Sequence, residues 1–249
     1  MVDLHCHLLP GIDDGAATLE EALILAAHAV ASGIKKAIVT PHYIPGRFEN
    51  TLEGIRRRAR QFRGELASRQ IPLEIGFAAE VHVCPEILTL EDSGALPVLG
   101  SVDGYRILLL EMPDSHIPPG TDKLVTWLLG RKIRPLIAHP ERNKEVMRDV
   151  DKIGPFVEMG CWLQITGGSV SGVFGPTCQQ RSQQMLERGW VTVIASDAHN
   201  MSARKPELEP GRKAAEDIVG EPESWRLVRE RPAKITADNE GLLEGLPAV

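Results

Sequence analysis

Asp3-Leu4-His5-Cys6-His7 opens the chain as an apolar, strand-like run that ends in His-x-His. Residues two apart in a strand point to the same side, so both imidazoles can reach one cation. Five later segments end in the same manner, each an apolar β-type run stopping at a His, Asp or Glu: Lys36–His42, Leu73–Glu80, Arg106–Glu111, Pro135–His139 and Val191–Asp197. A seventh run, Trp162–Thr166, has the same composition without the acidic or imidazole end. Such a series is the pattern of a parallel sheet curled toward a barrel, with strand ends that meet at one mouth.

Helical patterns between these runs support that reading. Thr18-Leu19-Glu20-Glu21 is a capping box, followed by Ala22, Leu23, Ala26, Ala27 and Val30 at helical spacing and by Gly33 as a stop. Leu52, Ile55, Ala59, Phe62 and Leu66 form one helical stripe, with Arg56, Arg57, Arg58, Arg60 and Arg63 mainly off it as a solvated outer face. Further helices are predicted over 121–131, 145–159 and 177–188. The pattern is weakest over 81–105, where Pro85, Gly94, Pro97 and Gly100 interrupt it and only a short helix near Glu86–Leu90 is expected. Alternating strands and helices predict an α/β fold, a distorted seven-stranded (β/α) barrel with right-handed crossovers. At 249 residues the chain fits one such domain, with 207–249 as a C-terminal helical segment packed on the barrel, its pieces expected at Pro210–Val219 and Ser224–Arg231.

Composition narrows the function. With 28 basic against 34 acidic residues and a net charge of −6, the chain offers no nucleic-acid surface. No apolar stretch approaches the ~20 residues of a membrane span, and no basic leader precedes an apolar core at the start, so a cytoplasmic protein is expected. The four cysteines, Cys6, Cys84, Cys161 and Cys178, are far apart and lack Cys-x-x-Cys spacing, and they read as reduced, mostly buried small residues.

The strand ends then assemble a ligand set: His5, His7, His42, Glu80, Glu111, His139, Asp197 and His199, with Asp14 in the first loop. Taken singly, Glu111 or Asp14 could as well cap a helix or pair on the surface. Their collective placement favours metal ligation, and nine donors exceed the needs of one ion. Mixed imidazole and carboxylate ligation without thiolate suits two or three divalent ions, manganese, iron or zinc, with a carboxylate such as Glu80 bridging. His28 within a helix, His82 just past Glu80 and His116 in a Pro-rich loop fail the positional test and read as structural or exposed. Arg142 and Arg204 follow His139 and His199 closely enough to lean over the same mouth, where a guanidinium grips phosphate oxygens. A surface ion pair is the alternative for each. Arg47, in the loop after His42, is a weaker candidate for substrate contact.

The runs His5-Cys6-His7-Leu8-Leu9-Pro10-Gly11-Ile12-Asp13-Asp14-Gly15, Thr40-Pro41-His42, Ala79-Glu80, Leu109-Leu110-Glu111, His139-Pro140-Glu141-Arg142-Asn143 and Ala195-Ser196-Asp197-Ala198-His199 together resemble the PHP (polymerase and histidinol phosphatase) superfamily. Within it, the chain is similar to the manganese-dependent protein tyrosine phosphatases of bacterial capsule and exopolysaccharide operons, the CpsB/CapC/YwqE type. The likeness spans nearly the whole chain in order. It implies a seven-stranded barrel with three divalent ions, manganese foremost, at the C-terminal strand ends. One ion would be held by His5, His7, Glu80 and Asp197, a second by Glu80, Glu111 and His139, a third by Asp14, His42 and His199. It further implies that Arg142 and Arg204 bind phosphate, and that the partner is a phosphotyrosine protein, the tyrosine-rich tail of a bacterial kinase. Asp14, where other PHP branches often carry His, favours the tyrosine phosphatase subgroup.

Metal ions lower the pKa of bound water enough to hold hydroxide near neutral pH, and that hydroxide can attack phosphorus in line. A thiolate phosphatase needs Cys-x5-Arg, whereas the residues six after the four cysteines are Ile12, Leu90, Gly167 and Gln184. A small-molecule phosphoesterase such as histidinol phosphatase is the alternative on the same scaffold. A non-catalytic binding module is disfavoured by the complete ligand set. A metal-dependent amidohydrolase is disfavoured by Glu80, where a bridging lysine would be expected.

Overall fold

The structure is a computed structural model that describes residues 1–239. Eleven strand segments are present among them: β1 Val2–Cys6, β2 Lys36–Val39, β3 His42–Ile44, β4 Phe48–Glu49, β5 Glu74–Phe77, β6 Glu80–His82, β7 Gly100–Val102, β8 Tyr105–Glu111, β9 Ile133–Ala138, β10 Trp162–Thr166 and β11 Val191–Ala195. They form two sheets, one in the order β1-β2-β5 and one in the order β11-β10-β9-β8-β6-β3-β4, with β7 paired to β8. The expected α/β fold is present, but among the described residues the strands do not close into one hydrogen-bonded barrel and two of the seven expected runs are interrupted.

Two of the expected strands are broken, and the breaks create the division. Lys36–His42 bends at Thr40-Pro41, where proline offers no N–H, and splits into β2 and β3. Leu73–Glu80 bends at Ala78-Ala79 and splits into β5 and β6, so each half joins a different sheet. The sheet edges still meet. Asp197 N–H donates to His5 O at 2.9 Å and His7 N–H to Ala198 O at 2.8 Å, which ties the end of β11 to β1. β5 pairs with neither β7 nor β8, and the side chain of Asn239 bridges it to Leu99, the residue before β7. Its Oδ1 accepts from Phe77 N–H, and its Nδ2 donates to Phe77 O and Leu99 O, all at 2.9 Å. Gly76 makes room for this contact, since a Cβ there would stand 2.3 Å from Asn239 Oδ1.

The strand alternation divides the core. Ile107, Leu109, Leu136, Val193, Leu4 and Ile38 point inward and pack with Ile235, while Leu108, Leu110, Ile137, Ile165 and Ile194 point outward into the larger core under the helices. Burying Ile235 alone contributes about 1.5–3 kcal/mol. It belongs to the tail, which runs as helices Glu209–Val219 and Glu221–Trp225, a π-helical turn Arg226–Glu230 and a last helix Arg231–Ile235. The part of the expected 207–249 segment beyond residue 239 lies outside the described residues.

The outer helices form where capping and periodicity place them. Leu19–Ala31 begins at Thr18, whose hydroxyl accepts from Glu21 N–H while Glu21 accepts from Ala17 N–H. Leu52–Ser68 is capped by Thr51 and buries Ile55, Ala59, Phe62 and Leu66. The helix expected over 145–159 is instead three short pieces, Lys144–Arg148, Val150–Ile153 and Gly154–Glu158. Asp149, extended at φ −149°, accepts from Asp151 N–H and restarts the chain between the first two. β7 was not expected. It forms a hairpin with β8 around Asp103-Gly104, both at positive φ, the turn that this dipeptide favours.

Candidate metal centre

The parallel strands deliver their C-terminal ends to one mouth, and the nine expected donors gather there. His5 and His7 project from β1, while Cys6 between them faces the opposite side, its Sγ 3.4 Å from Ile38 O. His5 Nε2 stands 3.3 Å from His7 Nε2, 3.2 Å from Glu80 Oε2 and 3.3 Å from Asp197 Oδ1. His7 Nε2 is 3.4 Å and 3.5 Å from the same two oxygens. Four donors at the corners of a tetrahedron with bonds near 2.0–2.1 Å lie about 3.3 Å apart. The spacing therefore suits one first-row divalent ion, with all four side chains fully buried.

The neighbouring donors extend the cluster. His42 Nδ1 lies 2.9 Å from Glu80 Oε2 and 3.4 Å from Glu111 Oε2, and its Nε2 lies 3.3 Å from Asp14 Oδ1. His199 Nε2 is 3.4 Å from the same Asp14 oxygen. Three compact groups result: His5, His7, Glu80 and Asp197; His42, Glu80 and Glu111; and His7, Asp14, His42 and His199. These groups overlap the expected division without matching it residue for residue. His42 stands in the second group as well as the third, His7 joins the third, and His139 lies beside the second, 2.7 Å from Glu80 Oε1 and 4.0 Å from Glu111 Oε1.

The donor atoms face each other without the hydrogen bonds that buried polar atoms require. Glu80 Oε2, Glu111 Oε2, Asp197 Oδ1, His42 Nδ1 and His199 Nε2 are all buried and lack a hydrogen-bond partner. Five carboxylates, Asp13, Asp14, Glu80, Glu111 and Asp197, gather here with the two guanidinium groups of Arg142 and Arg204, both of which pair with Asp197, so three negative charges are in surplus before any imidazole is protonated. Burial alone would raise Asp197 and Glu80. Burial is the largest single influence on each, but the charge of His5 together with His7 and Arg204 for Asp197, and together with His42 and His139 for Glu80, outweighs it and holds both well below the usual carboxylate range. The nearby imidazoles of His199 and His42 likewise hold Asp14 far below the usual carboxylate range. His199 is pushed down to about 4 by burial and the charge of His7, so its imidazole is neutral and can donate a lone pair at neutral pH. The residues fit divalent cations.

Residues behind the donors set their orientation, and three of them escaped sequence reasoning. Asp13 Oδ2 accepts from His7 Nδ1 and Gln164 Oε1 from His5 Nδ1, each at 2.7 Å. His199 Nδ1 donates to Asp197 O at 3.0 Å. In each case Nδ1 donates to its partner, so Nε2 is the nitrogen turned to the centre and the one available to a cation. Asp3 accepts from His5 N–H, Ser196 N–H and Ser196 Oγ–H, and Ser196 Oγ in turn accepts from Ala198 N–H. This network braces Asp197, which sits at φ 53°, a strained backbone for a non-glycine residue; His139, at φ 29°, is strained likewise. The signals were present in part: Asp3 shares the strand face of His5 and His7, Asp13 adjoins Asp14, and Gln164 is polar within an apolar strand.

Both expected arginines reach the mouth. Arg142 Nη1 donates to Asp197 Oδ2 at 2.5 Å, Arg204 Nη2 donates to the same oxygen, and each side chain stays about one-fifth exposed. Arg47 stacks on Phe48 at 4.8 Å, and Phe48 stacks on His42, which puts Arg47 at the rim. Of the other histidines, His28 pairs with Glu207 at 2.6 Å, His116 with Ser115 at 2.7 Å, and His82 is half-buried past Glu80. Burial raises all four thiols, Cys84 to about 11 and Cys161 to about 12, so none is a ready thiolate at neutral pH.

Comparison with known proteins gives this geometry its context. The tyrosine-protein phosphatase YwqE of Bacillus subtilis (strain 168) is 35% identical over 204 residues, 82% of this chain and 79% of that protein. A chain from the crystal structures of YwqE from Bacillus subtilis and CpsB from Streptococcus pneumoniae, described as unique metal-dependent tyrosine phosphatases, superposes with a TM-score of 0.83 at 31% identity, covering 100% of this chain and 96% of its own. The histidinol phosphate phosphatase of Lactococcus lactis subsp. lactis Il1403 matches with a TM-score of 0.53 at 13% identity, over 91% of this chain and 94% of that one, and so shares the fold alone. The model of the capsular polysaccharide synthesis family CpsB/CapC matches residues 1–237, and the chain belongs to that family.

Proposed function

We propose that this protein is a metal-dependent protein tyrosine phosphatase that removes phosphate from the tyrosine-rich tail of a bacterial kinase controlling capsule or exopolysaccharide synthesis. The observation that carries it is the set of buried, unpartnered donor atoms at ligand spacing, with two guanidinium groups at their edge. Three divalent ions, manganese foremost with iron or zinc as alternatives, would be held by His5, His7, Glu80 and Asp197, by Glu80, Glu111 and His139, and by Asp14, His42 and His199, with Glu80 bridging the first two. The two sheets are then one distorted seven-strand barrel in function, with its mouth at the C-terminal strand ends. The expected compartment is the cytoplasm; among the described residues no helix is long and apolar enough to cross a membrane.

The bound ions supply a nucleophile drawn from water and Lewis acidity at the phosphoryl oxygens. The chain's own residues do the rest. Asp13, Gln164 and the Asp197 carbonyl fix the imidazole tautomers, and Asp3 and Ser196 hold the Asp197 backbone. Arg142 and Arg204, anchored on Asp197 Oδ2, keep further N–H groups for the phosphoryl oxygens and stabilise the charge that develops there. A tyrosine leaving group, with a pKa of about 10, demands little proton donation.

Phosphate release from a phosphotyrosyl peptide and from histidinol phosphate, measured side by side with manganese and after chelation, tests the proposal. Faster manganese-dependent release from the peptide is expected. Preference for histidinol phosphate would reassign the site to small-molecule phosphoesters, and no metal-dependent release from either would reject phosphatase activity.

A further inference from the structure

Beside Arg204 lies a cavity of about 410 Å³, lined by Val173 and Phe174 on one side and by Arg204, Lys205, Ser202 and Ser171 among its other walls. That volume is in the range of small-ligand sites. Phe174 links the cavity to the second arginine as well, since the Arg142 guanidinium carbon lies 5.3 Å from its ring centroid. The ring therefore adjoins both groups assigned to phosphate.

The segment that carries it is fixed. Val173 N–H donates to Gly168 O at 2.8 Å and Gly175 N–H to Gly172 O at 3.1 Å. The ring rests on the bare edge of Gly168, where a Cβ would come within 2.9 Å of Phe174 Cε2. Phe174 is only half-buried and Val173 is 65% exposed, one of three large apolar side chains so exposed among the described residues. The three hydroxyls in the wall already have partners, Ser171 Oγ on Gly167 O, Ser196 Oγ on Asp3 Oδ2 and Ser202 Oγ on Asn200 Oδ1. Glu207 also lines the cavity but pairs with His28 at 2.6 Å, so the wall offers an apolar, aromatic face at Val173 and Phe174 next to Arg204 and Lys205, with no unmet polar demand from those hydroxyls.

We infer that this cavity receives the aromatic ring of the substrate, with Phe174 and Val173 as its stacking wall, so that the site selects aryl over alkyl phosphates. The inference rests on the phosphatase reading above and adds to it the residues that recognise the leaving group. An aryl phosphate placed with its phosphoryl group at Arg142 and Arg204 can lay its ring on Phe174, whereas a serine-type leaving group is too short and has no π-face to use.

The test compares Phe174→Leu and Val173→Asn with the wild type, each loaded with manganese. Calorimetry reads the affinity of phenylphosphonate against methylphosphonate, and kcat/KM is taken for phosphotyrosine against phosphoserine. The expected result is a fall in the aryl-to-alkyl ratio of about two- to tenfold for Phe174→Leu, the size of one aromatic contact, with Phe174→Tyr restoring it. Equal losses for aryl and alkyl ligands would show that the ring only supports Arg142 and would overturn the inference, as would an unaltered ratio. If Phe174→Leu does not fold, the exposed Val173→Asn decides by the same ratio. A wild type that releases phosphate from neither substrate refutes the phosphatase reading itself; one that is active while both variants keep its selectivity refutes only the ring site.

Discussion

Two buried polar regions of this molecule are built on opposite terms. At the seam between β5 and the start of β7, the single amide of Asn239 makes three hydrogen bonds of 2.9 Å to Phe77 and Leu99, which meets the needs of the backbone groups it faces. At the mouth, Glu80, Glu111, Asp197, His42 and His199 each present a buried atom with no hydrogen-bond partner. Removing an unsatisfied polar atom from water costs about 1–3 kcal/mol, more when it is charged. The seam therefore serves the fold, and the mouth is arranged for a positive ligand.

The largest effect that tests this contrast is metal removal. Chelation is expected to lower turnover by about a thousandfold or more, the loss of several kcal/mol of transition-state stabilisation, with recovery on adding manganese. Full activity in a chelated, metal-free sample would mean that the unpartnered donors serve some other end. Next, Arg142→Ala should retain its metal while kcat falls by about 10²–10³, the loss of one transition-state charge contact. If elemental analysis instead finds the ions gone and the fold intact, the arginine belongs to the ligand scaffold.

Asp13→Asn probes the support behind the ligands. It should weaken metal affinity by about 10–100-fold, read by competition with a chelator, because His7 loses the carboxylate that orients it. At the seam, Asn239→Ala should lower unfolding free energy by about 1–3 kcal/mol in a denaturant titration, with kcat of the folded fraction kept. Loss of turnover at full stability would join the two regions that the structure separates. The smallest effect is expected from thiol chemistry. With Cys84 pushed up to about 11, roughly one part in a thousand is thiolate at pH 8, so iodoacetamide should react slowly and leave activity in place. Rapid inactivation protected by phosphate would argue for a cysteine nucleophile.

The gathering of candidate donors at one mouth was legible because a strand that ends in His, Asp or Glu fixes both the position and the direction of that side chain. His5, His7, Glu80 and Asp197 meet as the strand pattern implied. What was not legible depends on contacts across the chain. Nothing near residue 78 announces that Leu73–Glu80 will bend and serve two sheets, and nothing near Asn239 says that it will face Phe77. The choice between adjacent Asp13 and Asp14 is likewise tertiary: Asp13 turns back to His7 Nδ1, and Asp14 turns into the donor cluster. The β7–β8 hairpin is different, since Asp103-Gly104 was a local turn signal within a stretch dominated by prolines and glycines.

The Asn239 contact also bears on the order in which the chain assembles. It joins residues 162 positions apart, and closing a loop of that length costs about 4.5 kcal/mol of chain entropy beyond the constant term. The β8–β9 and β9–β10 units form over much shorter separations and need not wait for it. Residue 239 follows every strand in the sequence, so during synthesis the two sheets exist before the amide that joins them has been made. The seam is thus a late joint, and a nascent chain stalled before it would display β5 with an unpaired edge, a surface open to pairing with other chains.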